Sequence, residues 1–185
     1  MLWWLPVAYA VPSPGASCED VAVKLAAQRL PPRPTRPDFW WQQPDPCPSG
    51  TTLGGPTPPA AREVWCVFGD TRTGPSTTLS GDLRVSTETR YVRDVEVGPR
   101  VDWNPATQEA VGWTTYAHDL PHGLAVEWWP TGVVVSWNRK GVKHGPLYKV
   151  DLRGRVELVE FWEDGERTSR TCVWRDGALV TDTPL

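Results

Sequence analysis

From about residue 63 onward the chain repeats itself at a spacing that leaves room for two short strands and their turns. Apolar and polar positions alternate, Gly interrupts them at short intervals, and no helical periodicity occurs. An aromatic residue, a polar turn and a small residue recur in Tyr91-Val-Arg-Asp-Val-Glu-Val-Gly98, Tyr116-Ala-His-Asp-Leu-Pro-His-Gly123, Trp137-Asn-Arg-Lys-Gly-Val-Lys-His-Gly145 and Trp162-Glu-Asp-Gly-Glu-Arg-Thr-Ser169, with Trp65 to Gly74 a looser copy. The second half of each unit recurs as well, in Gly98-Pro-Arg-Val-Asp-Trp103, Gly123-Leu-Ala-Val-Glu-Trp128, Gly145-Pro-Leu-Tyr-Lys-Val150 and Ser169-Arg-Thr-Cys-Val-Trp174. Units starting at 74, 98, 123, 145 and 169 step by 24, 25, 22 and 24 residues, a period typical of repeat arrays.

Each step holds two strands separated by Gly-bearing turns such as Trp129-Pro-Thr-Gly132, Arg153-Gly154 and Glu163-Asp-Gly165, so the unit reads as a β-hairpin. A lone hairpin is marginal in water. Stacking units along one sheet gives each Trp or Tyr a facing residue in the next, and such cross-strand pairs contribute about 0.2 to 1 kcal/mol each relative to Ala pairs. The expected fold class is therefore all-β: tandem hairpins forming an elongated, twisted antiparallel sheet, with turns near 70, 94, 105, 119, 131, 140, 153, 164 and 176.

Three segments are expected: a leader-like stretch over 1–17, a short helix with a Pro-rich linker over 18–62, and the hairpin-repeat domain over 63–185. The first ten residues are apolar and end in Ala8-Tyr9-Ala10, which fits a short, atypical signal peptide. No segment approaches membrane-spanning length. Ser17-Cys-Glu-Asp20 resembles a capping box, and Val21, Leu25 and Leu30 predict a helix over about 18–30. Ten prolines between 31 and 62 then exclude regular helix and central strand. Within that stretch Asp38-Phe39-Trp40-Trp41 is an aromatic cluster with two readings, docking on the repeat domain or lining a ligand surface, and docking is favoured.

Cys18, Cys47, Cys66 and Cys172 form an even set. Together with the leader they predict two disulfides in an exported protein, periplasmic, cell-surface or secreted, with three pairings open. Gly15-Ala-Ser-Cys18 raises the alternative of a lipid anchor at Cys18, although the residue three before the cysteine is Gly rather than an aliphatic.

The repeated units resemble the MORN-repeat-variant family, the bacterial arrays known as YwqK-type antitoxins, whose pattern is an aromatic, a polar turn and Lys-x-His-Gly. Trp137 to Gly145 is the closest match, and the resemblance covers about 63–180. It implies an antiparallel β-array that binds a protein or a surface, and it brings no defined active site. Pro121 and Pro130 depart from the usual pattern and put local register in doubt.

Chemistry is weakly represented. Of the three histidines, His118, His122 and His144, the repeat register separates His122 from His144 by a unit, so turn roles are favoured over a metal site and no metal or other cofactor is expected. Glu157, Glu160, Glu163, Asp164 and Glu166 could supply a carboxylate pair for glycoside hydrolysis, but on an alternating strand they read as a solvated face. No nucleophile elbow, phosphate loop or Cys/His pair occurs. A formal charge of −3 and the absence of basic runs argue against nucleic acid.

Trp supplies 12 residues, and Trp103, Trp113, Trp128, Trp129, Trp137, Trp162 and Trp174 could line a platform, although repeat-locked Trp residues more often form core. Trp128 and Trp129 must face opposite ways on one strand. Trp128 is expected to be packed, with Trp129 outward as a recognition residue alongside Trp40 and Trp41. The leading function is a non-catalytic, exported scaffold that presents a sheet face to a protein or a cell-surface glycan or polymer. The alternatives are an antitoxin-like protein neutralising a partner toxin and, more distantly, a carbohydrate-active enzyme.

Overall fold

A computed structural model describes residues 16–26, 32–35, 37 and 39–183. The leader expected over 1–17 falls almost wholly outside the described residues, as do positions 27–30 of the expected helix. One helix, α1 (Cys18–Ala26), and a single 3₁₀ turn (Trp40–Gln42) precede the sheet. The strands are β1 (Thr52–Leu53), β2 (Glu63–Phe68), β3 (Thr71–Leu79), β4 (Val85–Val92), β5 (Val95–Glu96), β6 (Gly98–Trp103), β7 (Ala110–Ala117), β8 (Leu120–Trp129), β9 (Gly132–Arg139), β10 (Val142–Lys143), β11 (Gly145–Asp151), β12 (Val156–Glu163), β13 (Glu166–Arg175) and β14 (Ala178–Thr183).

All fourteen lie in one antiparallel sheet ordered β1-β2-β3-β4-β6-β7-β8-β9-β11-β12-β13-β14, with β5 beside β4 and β10 beside β9, so that every hairpin joins chain neighbours. Each expected turn is present. Arg93-Asp94, His118-Asp119, Lys140-Gly141, Asp164-Gly165 and Asp176-Gly177 all have both central residues at positive φ, the condition for the tight hairpin turn whose twist matches the strands it joins. A further turn at Ser80–Arg84 separates β3 from β4, closed by Ser80 N–H to Arg84 O at 2.8 Å and by Ser80 Oγ, which accepts from Arg84 N–H at 3.2 Å. Its Ser-Gly-Asp signal at 80–82 lies in the step from 74 to 98, between the quoted motifs.

One row of directly opposed residues crosses the whole sheet: Val64, Thr77, Glu88, Val101, Trp113, Val126, Val135, Tyr148, Val159, Cys172 and Asp182. Opposed residues share a face, and most of this row is buried. The N-terminal segment covers it. Ser17 Oγ caps α1 by accepting the Asp20 N–H at 3.1 Å. Val21 and Leu25 of that helix then join Leu124, Val126, Val135, Trp137, Tyr148, Val159 and Phe161 in one core, and Cys18 is bonded to Cys172 of β13. Farther along, Trp40 and Trp41 seal a second core with Val64, Leu79, Val85, Trp103 and Ala110, where Trp40 Nε1 donates to Thr77 Oγ1 at 2.9 Å. Cys47–Cys66 fastens the segment to β2 just before β1 adds to the sheet edge. Trp128 packs against both cores.

Trp40 and Trp41 are docked, the favoured of their two readings, and at only 8% and 9% exposed they leave the set of possible recognition residues, because the sheet face they cover is apolar. The register expected for one unit is corrected. Trp137 does not occupy the position of Tyr91, Tyr116 and Trp162. Those three lie opposite Gly74, Gly98 and Gly145 in the preceding strand, whereas opposite Gly123 stands Asn138, and Trp137 faces Leu124 on the covered side. A one-residue slip inverts the face, so the strongest motif in the sequence was read one position out of register. The acylation alternative at Cys18 is also excluded for that atom, since a sulfur in a disulfide cannot carry a thioether. No described helix is long and apolar enough to cross a membrane.

Candidate functional site

The opposite face of the sheet has no covering segment among the described residues. The row adjacent to the buried one reads Glu63, Thr78, Thr87, Asp102, Gly112, Glu127, Val134, Lys149, Leu158, Val173 and Thr181, a largely polar series that suits a solvated surface. Three of the five acidic residues singled out in the last units, Glu157, Glu160 and Asp164, are held in ion pairs. Lys149 Nζ meets Glu157 at 2.9 Å, Arg167 Nη1 meets Glu160 at 2.8 Å and Arg139 Nη2 meets Asp164 at 2.6 Å.

Aromatic rings on this face carry cations. Arg72 lies 4.8 Å above Trp65 and 5.6 Å from Tyr91, Arg100 lies 5.8 Å from Tyr116, and Lys143 lies 4.7 Å above Trp162. Trp162, expected among the core residues, therefore sits on the open side, half-buried beneath Lys143. Burial, followed by the charge of Glu96, raises the Tyr91 pKa above the ordinary phenol value. Burial opposes the charge on Arg100, but Asp102 outweighs it and holds the guanidinium above its ordinary value.

The histidines act at turns. His122 Nδ1 accepts from Lys140 N–H and His144 Nδ1 from Asp164 N–H, both at 3.4 Å. In the earlier units Asp94 and Asp119 do the corresponding job in reverse, each accepting at 2.7 Å from the amide of a preceding hairpin, Arg72 and Glu96 respectively. Main-chain bonds repeat beside them, from Asp94, Asp119, Gly141 and Gly165 N–H to the carbonyls of Arg72, Glu96, Pro121 and Lys143. Sequence spacing alone could not reveal these clasps, because each joins residues 18 to 23 positions apart.

A concavity opens where β7 and β8 part. Their pairing ends at Gly112 opposite Glu127, while Trp128 and Trp129 continue to pair with β9. The Ala110 carbonyl there is taken instead by Arg33 Nε at 2.8 Å, and Arg33 also faces Glu109 at 3.7 Å. The resulting cleft, about 680 Å³, is lined by Arg33, Asp102, Gly112, Glu127, Trp128 and Trp129, among others. Asp102 is engaged by Arg100 Nε at 3.1 Å; Glu127 is exposed and has no ion pair among the described residues. Trp129 is 55% exposed at the rim, as expected from its alternation with Trp128. Of the three aromatic residues singled out from the sequence for recognition, the fold leaves this one available.

No protein-family model matches the chain. No curated protein matches it either.

Proposed function

We propose that the chain is an exported, non-catalytic binding scaffold of the hairpin-repeat kind, which presents the uncovered face of its sheet to a protein or a cell-surface polymer. The observation that carries this reading is Trp129, a large side chain left 55% exposed beside a cleft while most other Trp residues are buried or half-buried. Exposed aromatic anchors next to a concavity are where binding energy concentrates. Supporting it are the turn-to-strand clasps between successive hairpins, which keep the surface rigid and so limit the ordering cost of association. Export fits the two disulfides, which form and persist in oxidising compartments.

The test is affinity capture with the oxidised protein from the native extracellular or surface fraction, comparing wild type with Trp129→Ala and with Leu152→Ala, a change at a still more exposed apolar position outside the cleft lining. Wild type and Leu152→Ala are expected to retain the same ligand and Trp129→Ala to lose it without a change in melting temperature. Retention by all three overturns the reading.

A further inference from the structure

We infer that the Trp129 cleft takes the guanidinium of an arginine side chain on a protein partner, an inference that rests on the scaffold reading above and narrows it to one ligand chemistry. Three independent features of the cleft converge on a cation. Trp65, Tyr91, Tyr116 and Trp162 on the open face are each covered by a cation of the chain itself, whereas Trp129, on the same face, has none among the described residues. The fold thus leaves one ring of this set for a cation from outside.

Charge is the second feature. Arg33 is balanced by Glu109 and Arg100 by Asp102, so Glu127 is the lining charge left over, and it is anionic. Residues 127 and 129 alternate with the covered Val126 and Trp128 on β8, which places the free carboxylate and the indole on the same side of one strand. A planar guanidinium can stack on the indole while its N–H fork reaches the carboxylate, a combination that an ammonium meets less well.

Gly112 is the third feature. It stands directly between Asp102 and Glu127 in the open-face row, and it lies inside β7, where no positive φ requires a glycine. Nor does crowding require it, because an added Cβ would meet the Asp102 side chain at an ordinary 3.4 Å. Glycine in a strand interior forfeits packing and often marks a place where another molecule approaches the backbone. Its effect here is a floor free of side chains between the two carboxylates, beside Trp129.

The experiment uses the full oxidised chain labelled with ¹⁵N and the blocked pentapeptide acetyl-Gly-Ser-Arg-Ser-Gly-amide, with its citrulline counterpart as a neutral isostere and an N-acetylglucosamine trimer as the glycan probe. The indole N–H signal of Trp129, identified by its loss in Trp129→Ala, is expected to shift saturably with the arginine peptide and not with the citrulline peptide. Affinity should fall about tenfold in Glu127→Gln, the loss of one charged hydrogen bond. It should also fall in Gly112→Ala, whose melting temperature stays at or above that of wild type, separating a filled site from a failed fold. Equal response to both peptides, or no shift up to about 20 mM arginine peptide, overturns the inference. A shift with the sugar alone overturns it too, while leaving the scaffold reading in place. Loss of that wider reading is scored separately, by capture that does not depend on Trp129.

Discussion

Asp119 Oδ1 accepts the main-chain N–H of Glu96 at 2.7 Å, reaching from the turn of one hairpin to a strand of the hairpin before it. The Asp119 N–H returns the contact by donating to the Glu96 carbonyl at 3.2 Å, so the two residues hold successive hairpins together at the turn edge of the sheet. Glu96 itself is buried and its carboxylate meets Thr89 Oγ1 at 2.5 Å. Asp119→Ala should therefore lower stability by about 1 kcal/mol, since an amide loses its charged acceptor at a largely exposed site. Asp119→Asn, which keeps an acceptor oxygen, should lose less. Urea unfolding of the oxidised variants checks both.

The Cys18–Cys172 bond spans 154 residues and Cys47–Cys66 spans 19. In the chain-entropy account the longer closure constrains the unfolded chain more, by about 5 kcal/mol against about 3. Cys18→Ala with Cys172→Ala should lower the melting temperature more than Cys47→Ala with Cys66→Ala. The first pair should also release α1, read as a selective loss of amide-exchange protection over Cys18–Ala26.

The Asp164 carboxyl is held below the ordinary carboxylate range by the hydrogen bond from Arg139, with the charges of Arg139, His144 and Lys140 adding to it. A carboxylate with a lowered folded pKa contributes stability that is complete above its unfolded value, near 4, and lost as pH falls through the folded value. The difference in melting temperature between wild type and Asp164→Asn should accordingly be present at neutral pH and vanish in acid. Arg139→Gln should move the Asp164 titration, followed by carboxyl NMR, upward.

Trp128 packs against both cores whereas Trp129 is 55% exposed. Trp128→Ala should cost about 3 kcal/mol, at the low end for truncating a large core side chain because Trp128 is only half-buried. Trp129→Ala should stay within about 0.5 kcal/mol of wild type. Equal losses in thermal unfolding would mean that both sides of β8 are packed.

Gly132 and Gly112 should respond in opposite ways to the same change. A Cβ on Gly132 would lie 2.1 Å from the Val150 carbonyl oxygen, a backbone atom that cannot move aside cheaply. Gly132→Ala should therefore unpair Asp151 from Gly132 at the end of the β9–β11 ladder and cost more than 2 kcal/mol. Gly112→Ala should be neutral or stabilising by up to about 1 kcal/mol, the span of strand propensity. Paired denaturation curves decide both.

Much of this fold is set by neighbours a few residues apart. Alternation set the strands, and residue pairs able to hold positive φ, such as Arg93-Asp94 and Lys140-Gly141, set the turns. From these the antiparallel sheet of consecutive hairpins followed, as did the helix start at Ser17 and the opposite faces of Trp128 and Trp129. The rest depends on pairs far apart in the chain, which meet only once the sheet has formed. Cys18 found Cys172 rather than Cys47 because the N-terminal segment runs back across the sheet, and nothing local encodes that path. The same crossing decided which face became core and buried Trp40 and Trp41. It also decided whether Trp137 or Asn138 stood opposite Gly123, since alternation is equally satisfied by two registers and only the burial of one face breaks the tie.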